Sequence, residues 1–236
     1  QRENFAPNLK TLGDILEEKG YRQMFLCGSN SVFGGRKNYF TQHGNYEIFD
    51  LYTARDEYYI PYDYHDGWWG FEDYTLYDVA KDKLTDLASD DQPFNFTMLT
   101  VDTHHVGGHR CKLCGYRYDE RIANVVSCAD RQLFNFISWC MEQEFYEDTV
   151  IIVTGDHPRM DTILIGETED YDRTIYNCFF GASITPEGKT TERIFTSFDM
   201  FPTTLAAMGF TVEGNRLGLG VNIFSAEPTL AEQLGY

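Results

Sequence analysis

Three short apolar runs in this chain each end abruptly in a polar loop, and that repetition constrains the fold more than any other feature. The runs are Gln23-Met24-Phe25-Leu26-Cys27 before Gly28-Ser29-Asn30, residues 94–101 before Asp102-Thr103-His104-His105, and residues 149–154 before Gly155-Asp156-His157-Pro158. The first, apolar without alternation, reads as a buried strand entering a loop; the second reads as a strand, and 149–154 is the most strand-like run of the chain. Between them lie stretches with helical spacing. One is residues 9–19, where Leu9, Leu12, Ile15 and Leu16 recur before Gly20; the others are 71–87 and 119–144. Residues 175–182 read as a further strand and 199–208 as a further helix, with Pro202 tolerated in its first turn. Strands alternating with helices predict an α/β domain with a mainly parallel sheet sandwiched by helices. In such a sheet the three loops fall at one carboxyl edge, where ligands bind. Residues 52–69, rich in Tyr, Asp and Pro, read as an ordered surface loop.

With 236 residues the chain has room for one sizeable α/β domain or two small ones, and residues 1–236 are taken as a single one. Its 19 Lys and Arg against 37 Asp and Glu leave a net charge of −18. That balance argues against a nucleic-acid partner or an anionic membrane surface, both of which reward clustered basic residues. No apolar run approaches the roughly 18 residues of a membrane-spanning helix. The chain opens on Gln1 rather than Met, which suggests a processed product or a piece of something longer.

Asp156-His157 is the most informative pair. A carboxylate and an imidazole fixed at the tip of a buried strand suit a divalent ion that stays partly open to substrate; the same pair also suits a turn cap beside a hydrogen-bonded His. His104 and His105 follow the second strand, and alternation there predicts that they point to opposite sides, with one facing the site. In the stretch 28–36, small residues such as Ser29 let backbone approach an anion. Arg36 closes that stretch with a guanidinium able to grip phosphate bidentately, or simply to face solvent.

Together these residues carry a resemblance. Residues 99–105, residues 150–157 and Ser197-Phe198-Asp199-Met200-Phe201-Pro202-Thr203-Thr204-Leu205 have the order and approximate spacing seen in the sulfatase-like phosphoglycerol transferases of the alkaline phosphatase superfamily. That group includes the lipoteichoic acid synthases and the periplasmic glucan phosphoglycerol transferases. Trp69-Gly70-Phe71-Glu72-Asp73, the double histidine, Ser127-Cys128 and Leu217-Gly218-Leu219-Gly220 resemble the glucan branch more closely. The resemblance implies an alkaline-phosphatase-like fold and one divalent ion, manganese or alternatively magnesium, with Asp156 and His157 among its ligands. It implies that Arg36 grips phosphate, and that His104 contacts the phosphoglycerol group, with Ser29 beside them. Where lipoteichoic acid synthases have a His before the Gly-rich loop and a Trp within it, this chain has Cys27 and Gly34.

The implied activity takes phosphoglycerol from the phosphatidylglycerol headgroup through a metal-activated Thr and passes it to a cell-envelope glycan or polyglycerolphosphate acceptor. In the family that Thr and a metal-binding Glu precede the segment matching residues 9–28. The chain therefore corresponds to a C-terminal portion of the catalytic domain, expected to be inactive alone. The family's membrane helices also lie upstream, which places the whole protein at the extracytoplasmic face of the cell membrane. A sulfatase or phosphodiesterase on the same fold, and a degenerate domain binding glycans or lipid headgroups, are the competing readings.

Six cysteines are too few for a disulfide-built scaffold. Cys27, Cys140 and Cys178 sit in apolar contexts and read as buried free thiols. Cys111, Cys114 and Cys128 have polar neighbours. They can be free thiols, or a zinc site completed by His109. The glucan branch has cysteines near the positions of Cys111 and Cys128, and for that resemblance a disulfide from Cys111 or Cys114 to Cys128 is the third reading.

Overall fold

The structure, a computed structural model, describes residues 4–64, 68–160, 163–164, 166, 170 and 172–235. In chain order its main elements are α1 (Leu12–Glu18), β1 (Arg22–Cys27), α2 (Arg36–Gln42), β2 (Glu47–Phe49), α3 (Leu51–Asp56), α4 (Asp73–Leu87), β3 (Phe94–Leu99), α5 (Arg121–Met141), β4 (Ile151–Thr154), β5 (Asn177–Phe180), α6 (Ser197–Ala207), β6 (Arg216–Leu217), β7 (Gly220–Val221) and α7 (Leu230–Leu234). The chain divides into two compact units, residues 1–139 with 159–170, and residues 140–158 with 171–236.

In the first unit β1 is the central strand of a parallel sheet ordered β2-β1-β3. Its residues Met24, Phe25, Leu26 and Cys27 are almost wholly buried, as an unalternating apolar run requires. Cys27 opposes Leu99 in register, so β1 and β3 end side by side and their loops share one edge. The apolar stripe of α4 buries Leu76, Val79, Ala80, Leu84 and Leu87. In α1, Thr11 and Asp14 form a reciprocal capping box, which explains a helix start at Leu12 rather than residue 9.

The expectation of a loop over 52–69 is corrected in part. Asp50 accepts from the backbone N–H groups of Tyr52 and Thr53 at 2.9 and 3.4 Å and so caps α3 inside that span. Residues 65–67 of the span lie outside the described residues.

The glycines of the first loop and of the Trp69–Asp73 motif meet backbone to backbone. Phe71 N donates to Gly28 O at 3.0 Å, and a Cβ on Gly70 would stand 2.5 Å from the carbonyl carbon of Gly28. Only glycine permits that approach. Gly70→Ala is expected to cost about 1–3 kcal/mol in a urea melt of the chain, the usual penalty of overpacking against rigid backbone; an unchanged midpoint would contradict this.

In the second unit β4 pairs with β5, antiparallel, with Ile151 opposite Phe180 and Thr154 opposite Asn177. Among the described residues β4 therefore belongs to a different hydrogen-bonded sheet from β1 and β3, and the shared carboxyl edge expected for all three loops is found in that sheet for two. Apolar runs alone do not say which strands pair. The core here is Ala207, Ile223 and Phe224, packed with Val150, Phe179, Ala182, Ile184 and Phe195. Asp199 anchors α6: one carboxylate oxygen accepts from Thr196 N and the other from Val221 N, both at 2.8 Å.

Candidate active site

The loop after β1 is shaped by its own side chains. Asp50 accepts from Ser31 N at 3.1 Å and from Ser31 Oγ at 2.6 Å, and Gly34 and Gly35 turn the chain with φ of 66° and 78°. Arg36 then reaches back over the loop. Its Nε donates to Phe33 O at 3.0 Å, and Nη2 donates to Ser29 Oγ and Asn30 O, each at 2.9 Å. Both hydrogens of Nη2 are thus committed, and Nη1 is the guanidinium nitrogen with no partner among the described residues. Much of the fork expected to grip phosphate bidentately holds the loop here, and Nη1 is the nitrogen it leaves exposed to a ligand.

The turn after β3 is tied to the start of α4. The Asp73 carboxylate accepts from Val101 N at 2.8 Å and from Asp102 N at 2.9 Å, joining two of the motifs singled out in the sequence. Trp69 completes the link between the loops. Its ring lies 4.4 Å from the His104 ring and 5.7 Å from that of Phe33, while Arg36 Cζ lies 5.5 Å over Phe33. Ser29, Arg36 and His104 therefore belong to one connected surface. Trp69, Phe33 and Asp73, which join these loops, are residues that sequence reasoning did not single out for the site. The Trp69–Asp73 motif itself was the available signal.

His104 Nδ1 lies 2.6 Å from the carbonyl oxygen of His105, so Nδ1 carries a proton and Nε2 is the nitrogen left for a ligand. The expectation that His104 and His105 point to opposite sides is wrong: their rings are 5.1 Å apart at 35°. The strand ends at Leu99, and the alternation of a strand does not extend into the turn beyond it.

Asp102 is buried beneath this turn with no hydrogen-bond partner for either carboxylate oxygen among the described residues. Burial raises its pKa above the usual carboxylate range, and the neighbouring charge of Asp73 adds to the effect. Burial also raises Asp73, against the two backbone hydrogen bonds that favour its ionised form.

In the second unit, Asp156 and His157 follow β4 on an exposed turn. Asp156 Oδ1 accepts from His157 N at 2.9 Å. His157 Nδ1 lies 2.9 Å from Pro158 O, which fixes the proton on Nδ1 and leaves the Nε2 lone pair free. That Nε2 stands 3.4 Å from Asp156 Oδ2, a separation that two donors about 2.0–2.2 Å from one ion can adopt. The pair can offer two donor atoms to a divalent cation.

Cys111, Cys114 and Cys128 are buried and cluster together, with Sγ of Cys111 3.7 Å from that of Cys114 and 3.9 Å from that of Cys128. No disulfide joins them, since a bond brings sulfurs to about 2.05 Å. His109 is not in the cluster: its backbone N–H donates to Asp102 O at 2.7 Å, and its ring lies 5.7 Å from Trp68 with Nε2 3.9 Å from Glu72. Cys27 and Cys140 are buried and in no disulfide, as expected, whereas Cys178 is only half-buried.

The Sulfatase family model matches residues 2–210. Phosphoglycerol transferase I of Shigella flexneri is 31% identical over 231 residues, 95% of this chain and 29% of the relative. Phosphoglycerol transferase I of Xanthomonas axonopodis pv. citri is 28% identical over 218 residues, 87% of this chain and 31% of the relative. The chain thus spans about three-tenths of the length of the curated relatives it matches. Among solved structures, the lipoteichoic acid synthase LtaP from Listeria monocytogenes superposes with a TM-score of 0.71 at 20% identity, covering 91% of this chain and 58% of that one. A protein of the alkaline phosphatase superfamily from Vibrio parahaemolyticus gives 0.69 at 22% identity, covering 92% and 54%. The solved structures share the fold, and the match over residues 2–210 identifies the chain as a member of the Sulfatase family.

Proposed function

We propose that this chain is part of an extracytoplasmic phosphoglycerol transferase that takes its group from phosphatidylglycerol and passes it to a cell-envelope glycan or polyglycerolphosphate acceptor. The nucleophile in this reading is a Thr outside these 236 residues, and the whole protein is held at the membrane by segments outside them as well. No helix among the described residues is long and apolar enough to cross a membrane. The observation that supports the reading is that Arg36, at the start of α2, and His104, in the turn after β3, follow adjacent parallel strands and are bridged by Phe33 and Trp69.

The work of these residues follows from their geometry. Arg36 offers Nη1 to a phosphate oxygen while its other nitrogens keep the loop in shape. His104, with Nδ1 held by a carbonyl, presents Nε2 to the phosphoglycerol group and donates a hydrogen bond from it when protonated. Trp69 packs against that imidazole and limits its rotation, and its exposed face gives a glycerol moiety an apolar floor. Asp156 Oδ2 and His157 Nε2 are the groups that would hold a divalent ion, manganese in this proposal. Such an ion supplies charge neutralisation at phosphate oxygens and lowers the pKa of an attacking hydroxyl.

Two donors leave an ion mostly hydrated, so this chain should bind Mn²⁺ weakly, and Asp156→Ala should abolish that binding in calorimetry. Tight binding that survives the substitution would put the ion elsewhere. The donor is tested by diacylglycerol release from vesicles by the full-length protein. Release is expected with phosphatidylglycerol and not with phosphatidylethanolamine, and equal release from both would refute the assignment.

A further inference from the structure

The proposed reaction makes no use of three buried cysteines that stand closer together than unrelated thiols need to. We propose that Cys111, Cys114 and Cys128 bind one zinc ion as thiolates, with the side-chain oxygen of Gln132 at the fourth corner. A tetrahedral ion with Zn–S bonds of about 2.3 Å sets neighbouring sulfurs roughly 3.75 Å apart. The two sulfur separations from Cys111 are 3.7 and 3.9 Å, and all three sulfurs lie within 4.8 Å of one another. The local backbone has the form such a site needs. Cys114 N donates to Cys111 O at 3.1 Å, closing the C-x-x-C segment into a turn, and Cys128 presents its sulfur from the rigid helix α5.

Two neighbouring side chains, Gln132 and Arg131, reach the sulfurs. Gln132, one helical turn beyond Cys128, brings one end of its side-chain amide to 3.3 Å from Cys128 Sγ and 3.9 Å from Cys111 Sγ. Arg131 Nη2 donates to Leu113 O at 2.8 Å and to Cys128 Sγ at 3.5 Å, bringing positive charge to the cluster and tying the turn to the helix. Such a donor on sulfur is what a metal-thiolate group recruits. Gln132 is itself more than nine-tenths buried, and its Oε1 has no partner among the described residues. Interchanging the amide oxygen and nitrogen, which have nearly the same shape, turns that orphaned oxygen onto the ion.

Binding exchanges three thiol protons for one Zn²⁺: the three S–H bonds give way to three Zn–S bonds, three protons pass to solvent, and the group keeps one negative charge opposite Arg131. No oxidant or reductant is involved. The ion would pin the loop that carries His104 and His109 to α5, a structural role independent of the transferase proposal.

The test uses the 236-residue chain purified without reductant or chelator. Elemental analysis should find about one zinc per chain, falling at least tenfold in Cys114→Ser. Because a serine variant can lose zinc merely by unfolding, the second measurement keeps the native sequence. Exchange of zinc for Co²⁺ should give a near-ultraviolet thiolate-to-cobalt band saturating at one ion per chain, and Gln132→Ala should weaken the ion about tenfold with the band retained. Peptide mapping that finds a disulfide between any two of Cys111, Cys114 and Cys128 in the purified chain would overturn the proposal, whatever the reduced chain binds. Copper in place of zinc, or folded reduced protein with no cobalt band, would overturn it equally.

Discussion

Replacing Arg36 with alanine in the full-length protein is expected to lower phosphoglycerol transfer by about 30-fold or more. A charge-assisted hydrogen bond to a desolvated anion is worth on the order of 2–5 kcal/mol, and about 1.4 kcal/mol corresponds to tenfold in rate. The loss should fall on kcat as well as KM if the contact strengthens while charge develops on the phosphate. Arg36→Lys should recover little. An ammonium replaces the charge but cannot make the Nε and Nη2 bonds that hold Phe33, Ser29 and Asn30 in place. Ser29→Ala removes one of those bonds and should cost far less. Steady-state kinetics on the three variants, with circular dichroism to confirm folding, checks this; full activity in Arg36→Ala would remove Arg36 from the site.

The second large effect concerns stability and pH. Asp102 and Asp73 are both buried, and burial raises both pKa values, so the folded chain holds protons that the unfolded chain releases at the ordinary Asp value of 3.8. With more protons bound in the folded state, stability falls as pH rises from that value through the raised ones. Asp102→Asn removes the cost of keeping that carboxyl protonated in the fold and should raise neutral-pH stability by on the order of 2 kcal/mol, with a flatter decline from pH 5 to 8. Urea melts at pH 5 and pH 8 decide it. A variant that tracks the parent chain at both would show that Asp102 is ionised or compensated in the fold.

Much of this was legible because burial writes itself into composition. The apolar runs of β1, β3 and β4 and the polar loops after them are visible in the chain as the structure has them. Pairing was not. Nothing within Ile151–Thr154 says that its hydrogen bonds go to Asn177–Phe180 rather than to β1 or β3, since any apolar strand offers the same backbone groups. The α3 helix was hidden by aromatic, Pro and Asp content that reads as loop, although Asp50 was a cap in plain view. His104 and His105 were misjudged by carrying strand geometry past the strand's end. Trp69 stands 35 residues before His104, and only the docking of Gly70 on Gly28 brings the two together.

The central claim is that the full-length protein moves phosphoglycerol onto an acceptor rather than to water. Phosphatidylglycerol labelled in its headgroup, supplied in vesicles with an envelope glycan, tests it most directly, because the fate of the label separates the two outcomes. The account predicts label on a protein Thr as an ester early in the reaction, then on the glycan, with diacylglycerol released in equal amount and the label lost from both in Arg36→Ala. Label appearing only as free glycerol phosphate, with the glycan unmodified, would contradict transfer and leave a hydrolase on the same fold.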